Sequence, residues 1–229
     1  MRYPTIICIA LMLLNTSLNA KEMSEAELEK WFASDELDPP AYQTNDVNEG
    51  ELVFLSQVPV DDVHHHQNKL IIDTQSLASG WVRVQQCHHN LDQIGRIQIT
   101  FRKNKVKQIH IVSSKNIDQA WVEDNTVQLR NVNAKAELCI EAVSRALIEN
   151  EDGSYSLRNG PFMRRFLDGY YPMHVSMQIT YSGTGLQLAS ISPASQKGFT
   201  VWQNPEQIGY EAWFEGRLKT ELRFYPATM

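Results

Sequence analysis

Cysteine is scarce in this chain, with three among 229 residues, Cys8, Cys87 and Cys139. No Cys-x-x-Cys pair exists, so the compact thiol-redox motif is excluded. No Gly-x-x-x-x-Gly-Lys or Gly-x-Gly-x-x-Gly run is present, which removes the usual phosphate-cradling loops. The Gly-x-Ser-x-Gly elbow of serine hydrolases is also missing. Positive charge is in short supply: 21 Lys and Arg stand against 27 Asp and Glu, a formal balance of −6. An acidic chain without a basic stripe is a poor ligand for a phosphate backbone, and nucleic acid is not an expected partner. Long apolar runs are absent after residue 14, so no membrane-spanning helix is expected.

The one apolar run that exists lies at 6–14, behind Arg2 and ahead of small and polar residues ending at Ala20. That is the layout of a secretory signal peptide over 1–20, cut before Lys21, and it implies export. No Asn-x-Ser/Thr site follows it, which favours a bacterial periplasm over a eukaryotic secretory route. Cys8 leaves with the signal. Cys87 and Cys139 then remain in an oxidising compartment, where a structural disulfide is expected. Two buried free thiols are the alternative.

Residues 21–31 read as a short N-terminal helix, with Ser24 and Glu27 forming a capping box and Leu28, Trp31 and Phe32 an apolar stripe. Asp38-Pro39-Pro40 stops it, and the stretch to residue 50 reads as a tether. Beyond lies a β-rich body over 51–229, one large domain or two β subdomains dividing near 133. Its centre is the segment 80–89, a strand that runs into Cys87, His88 and His89. Strands at 96–101 and 106–112 follow it with short polar turns, which predicts an antiparallel meander. Period-two alternation marks further strands at 117–122, 126–132 and 173–181. Segment 134–147 carries both a strand and a helix pattern, and its neighbours favour the strand. Pro161 and Gly169 bracket an expected short helix at 162–168. Strands 209–214 and 217–225 are expected to close the fold as an aromatic hairpin. The predicted class is mainly β, an antiparallel β-sandwich or open barrel-like fold.

Two groups of residues suggest chemistry. Arg164, Arg165, Tyr170, Tyr171 and His174 crowd one turn, a surface suited to a protein partner or a small anionic ligand. The alternative outcome is a bend whose tyrosines pack over a sheet edge. The seven histidines include the run His64-His65-His66 and the pair His88-His89. In an extended chain His64 and His66 share a face and His65 points away. Pairing of 81–89 with 106–112 would bring His88 or His89 toward His110, a candidate Cu or Zn site, with 64–66 a secondary surface site. Glu211 and Glu215, like Glu137 and Glu141, are too far apart along a strand for glycosidase chemistry. The reading is an exported, non-catalytic binding or envelope-assembly protein that works through 161–174. Histidine-based Cu or Zn binding is the alternative, and a hydrolase of unknown specificity the second.

Overall fold

The computed structural model describes residues 48–59 and 63–227. The expected signal peptide, the expected N-terminal helix and most of the expected tether therefore fall outside the described residues. Within the unit Asp46–Met229 the chain is mostly strand. The elements in order are β1 (Val53–Phe54), β2 (His65–Ile71), α1 (Thr74–Ser79), β3 (Trp81–Leu91), β4 (Ile94–Thr100), β5 (Val106–Glu123), β6 (Thr126–Arg145) and β7 (Leu147–Glu149). They continue as β8 (Tyr155–Phe162), β9 (Arg165–Phe166), β10 (Gly169–Tyr170), β11 (Met173–Thr180), β12 (Leu186–Ser192), β13 (Phe199–Gln203), β14 (Gln207–Glu215) and β15 (Leu218–Pro226). Segment 134–147 is strand for most of its length, as its neighbours required.

The strands form a nine-stranded sheet ordered β1-β14-β11-β2-β3-β6-β4, with β13 on β14 and β5 on β6, and a four-stranded sheet ordered β12-β15-β8-β7. Pairing is antiparallel except between β2 and β11, which run parallel. Alternation explains the first core. Met173, Val175, Met177 and Ile179 of β11, and Ile208, Tyr210, Ala212 and Phe214 of β14, are all buried. They pack in one cluster with Leu157 of β8 and Leu218, Leu222 and Phe224 of β15. Two sheets packed through their alternate side chains make a sandwich.

The expected meander is corrected. β3 and β4 do not pair with β5; each pairs with β6, and β5 pairs with β6 along nearly its whole length. β3 and β4 therefore act as one broken strand along a single edge of β6. Asn90, Asn116 and Asn131 have positive φ, and register shifts occur at His89/Leu91 and Lys115/Ile117. Asparagine tolerates this conformation better than other side-chain-bearing residues, and a bulge bends its strand. The three ribbons bend at one level. Val127 and Leu129 from beyond the bend join Leu138 and Ile140 in a second core.

Three further expectations change. The helix at 162–168 is absent: β8 runs through Phe162, and β9 and β10 form a small hairpin instead. Tyr171 Oη donates to Asp168 at 2.5 Å, and the Phe166 and Tyr171 rings meet edge to face. These contacts favour the tight turn over helical hydrogen bonds. The helix that does form, α1, was not anticipated. Asp73 caps it by accepting from the Ser76 amide, and Ser76 Oγ accepts in return from the Asp73 amide. Last, β14 and β15 are not a hairpin, since they belong to different sheets. Gly216, at φ 86°, carries the chain across, and Tyr210 and Thr220 hydrogen-bond through the core at 3.0 Å.

One glycine fixes the outer surface. A Cβ at Gly209 would lie 2.2 Å from the Trp202 ring and 2.7 Å from the Met177 carbonyl oxygen. Gly209→Ala should therefore displace Trp202 and destabilise the protein by about 1–3 kcal/mol. Urea denaturation measures this, and a midpoint equal to wild type would refute the close-packing account.

Candidate metal centre

β2, His64 just before it, and β3 distribute five histidines over both faces of the large sheet. His64, His66 and His88 point toward the interior. His64 Nε2 lies 3.0 Å from His88 Nδ1, and Gln86 Nε2 lies 2.7 Å from His88 Nε2. The His66 and His88 rings stack at 4.4 Å, and Phe162 meets His66 edge-on. Burial and the neighbouring imidazoles disfavour protonation here. Burial pushes His64 down to about 4 and His66 to about 3, and it holds His88 well below the ordinary imidazole value.

That cluster makes the fold acid-sensitive. In the unfolded chain these imidazoles take up protons as pH falls below about 6.5, whereas the folded chain resists. Their contribution to stability is thus intact above about pH 6.5 and is lost as pH falls toward the folded values near 3 to 4. Each imidazole contributes a slope of up to about 1.4 kcal/mol per pH unit. Thermal melts should show a falling midpoint between about pH 6.5 and 4. A flat profile there would contradict the buried neutral cluster.

The opposite face carries a row of rings across four strands. His89 of β3 stacks on His65 of β2 at 5.4 Å, His65 on His174 of β11 at 3.9 Å, and His174 on Trp213 of β14 at 4.0 Å. The register supplies the reason: His89, His65, His174 and Trp213 are successive cross-strand neighbours. Beyond His89 the same row continues to Glu137, which pairs with Lys115 at 3.3 Å.

At this row two imidazoles and a carboxylate converge. One ligand atom from each of His65, His174 and Glu211 lies within 4.8 Å of the others, a group able to hold a metal ion. His174 Nε2 contacts Glu211 Oε2 directly, and His65 Nε2 lies 2.7 Å from Ser176 Oγ. Ser176 and Glu211 are themselves cross-strand partners, which aims the carboxylate back at the histidines. Burial, then the adjacent His174, depresses His65 to about 4, so its imidazole is neutral and ligand-ready in neutral solution. The Glu211 side chain is 48% exposed, leaving the site open to solvent. Two histidines and one carboxylate with an open side form a donor set of catalytic zinc, whereas structural zinc sites are usually closed by four protein ligands.

The predicted site residues separate. His88 and His89 do point to opposite faces of β3, but His110 does not reach them. It pairs with Glu141, whose partner on β3 is Gln85, and it lines a different depression with Lys69 and Arg83. The 64–66 run is not a secondary surface site, because His65 belongs to the metal-capable group while His64 and His66 face inward. Cys87 and Cys139 are bonded and directly opposed between β3 and β6. Around 161–174 the side chains serve internal contacts. Arg164 pairs with Asp92 at 2.5 Å, and Arg165 sits over the Tyr170 ring. Tyr170 is buried and accepts from Arg217, and Tyr171 is tied to Asp168. His174 alone joins the new site.

The expectation of a non-catalytic binding protein working through 161–174 is corrected accordingly. The group that can hold a metal ion is instead His65, His174 and Glu211, of which only His174 lies in that segment. Alternation along β2 carried a signal for His65 and along β11 for His174. Nothing in the sequence signalled that the two strands are neighbours.

No protein-family model and no curated protein matches the chain. Among solved structures it is similar to the M1 zinc metallopeptidase from Deinococcus radiodurans, at 14% identity and TM-score 0.39, over 79% of this chain and 43% of that one. A substituted form of that enzyme bound to a Tyr-Ser-Ala substrate aligns at 13% identity and TM-score 0.39, over 72% and 42%. A two-domain M1 zinc metallopeptidase variant bound to L-tryptophan aligns at 13% identity and TM-score 0.38, over 79% and 44%. The chain spans less than half the length of these solved chains. It contains no His-Glu-x-x-His run, the helical ligand motif of metallopeptidases. Among the described residues, no helix is long and apolar enough to cross a membrane.

Proposed function

We propose that this protein is an exported metal-dependent hydrolase, with zinc held by His65, His174 and Glu211. The observation that supports the reading is the convergence of those three donors within 4.8 Å on an open face. Zinc bound by such a set lowers the pKa of a coordinated water and polarises a carbonyl or phosphoryl oxygen. The chain's own residues have separate tasks. The Trp213 ring against His174 fixes that imidazole and keeps water off its far side. Ser176 Oγ, 2.7 Å from His65 Nε2, orients that imidazole. A small cleft of about 70 Å³ lies alongside, with Gln67, Lys69, Gln178 and Trp202 around Glu211. Its size suits a small reacting group rather than an enclosed large substrate. Export to the periplasm accords with the Cys87–Cys139 disulfide.

Isothermal titration of the chelator-treated protein with Zn²⁺, followed by turnover assays on p-nitrophenyl acetate, p-nitrophenyl phosphate and an aminoacyl 4-nitroanilide, tests the reading. Zinc-dependent turnover of at least one substrate is expected. Tight zinc binding with no turnover on all three would replace the hydrolase with a metal-binding protein. Absence of zinc binding would refute both.

A further inference from the structure

A second cavity lies on the other face of the sheet from the metal-capable group, where the two cores meet. It measures about 560 Å³ and runs between β2, β3 and β6 on one side and the end of β8 on the other. Its size falls in the range of roughly 300–1,000 Å³ typical of small-molecule sites. The apolar wall includes Leu70, Val84, Phe162 and Met177. Within it, Asn68 Nδ2, His66 Nε2 and Asn159 Nδ2 are buried and make no well-formed hydrogen bond inside the protein, with Asn68 and Gln86 as the polar neighbours of His66. Asn68 is only 5% exposed. A buried amide without a partner costs about 1–3 kcal/mol, so its presence inside a cavity needs an explanation.

The charge around the cavity is one-sided. Arg102, Lys105, Arg145 and Arg158 line it and are exposed, and no Asp or Glu lines it. Arg158 also reaches Glu221 on β15, at 3.2 Å. In a chain whose net charge is −6, four cations around one opening are a local inversion. The pattern is apolar wall, amide donors at depth and cations at the rim. An acyl chain fits the wall, an anionic headgroup fits the rim, and an oxygen acceptor satisfies the amides.

We infer that this cavity binds a single-chain anionic amphiphile, a carboxylate or phosphate carrying an acyl or alkyl tail. The site is independent of the metal-capable group.

Fluorescence titration with cis-parinaric acid tests this on the intact, disulfide-bonded protein. Saturable binding is expected, displaced by dodecanoate or dodecyl phosphate but not by dodecanol; the more effective of the two anions identifies the headgroup. The double variant Arg102→Glu/Lys105→Glu alters only exposed side chains and should weaken binding by about tenfold or more. Asn68→Leu removes the buried amide and should weaken binding. Zinc affinity should stay at the wild-type value in the double variant, which separates this site from the metal centre. Absence of saturable binding, displacement by dodecanol as effective as by dodecanoate, or wild-type affinity in the double variant would each overturn the inference.

Discussion

Glu211→Gln and His174→Ala should each remove the proposed hydrolysis almost completely, with zinc affinity falling by orders of magnitude. The two substitutions act through different physics. Glu211→Gln keeps the side-chain shape on β14 but replaces an anionic donor with a neutral amide, so charge neutralisation at the site is lost. His174→Ala removes a ligand and also the ring that stacks between His65 and Trp213. Neither side chain belongs to the buried core, since Glu211 is exposed and His174 lies at the outer face. Both variants should therefore fold, with far-ultraviolet circular dichroism like wild type. The expected loss of rate is about 10²-fold or more, the scale on which catalysis depends on a positioned group. His110→Ala is the control, because His110 pairs with Glu141 away from the cluster. If His110→Ala lost zinc while Glu211→Gln kept it, the assignment of ligands would be wrong.

Breaking the disulfide should give the largest change in stability. Cys87 and Cys139 are 52 positions apart and opposed in the middle of the β3–β6 ladder. Closing a loop of that size lowers the entropy of the unfolded chain enough to stabilise by about 4 kcal/mol, and typical measured values are about 2–4 kcal/mol. The double variant Cys87→Ala/Cys139→Ala should therefore lose a large part of a stability that for most domains is about 5–15 kcal/mol. Urea denaturation with and without reductant measures it. Reductant should lower the midpoint of the wild type and leave the double variant unmoved. Equal midpoints for all four samples would mean that the bond contributes nothing to the fold.

What the sequence determined by itself is local. Alternation over 173–181 placed Met173, Val175, Met177 and Ile179 in the core and left His174 and Ser176 on the opposite face, because side chains in a strand alternate whatever the neighbouring strands are. The same rule separated His65 from His64 and His66, and His88 from His89. The expectation of export, and the two cysteines left once Cys8 is assigned to the expected leader, pointed to the Cys87–Cys139 bond. The class of fold was legible for the same reason: short alternating segments with polar turns leave few alternatives to packed sheets.

Tertiary structure alone decided which strands meet. Parallel pairing of β2 with β11 places His65 beside His174, more than a hundred residues away, and no local pattern encodes that partner. β14 then adds Glu211 and Trp213 to the same face, although its aromatic residues had suggested a hairpin with β15. His110 lies out of reach of His88 and His89 because β6 stands between β3 and β5 and sets it opposite Glu141, level with Gln85. Around 162–168 the tight turn prevailed over the helix signal through contacts of Tyr170 with Arg217 and of Arg164 with Asp92, both distant in sequence. A metal-capable site assembled from three strands is set by sheet order and register, and these follow from long-range burial that a single strand's sequence does not contain.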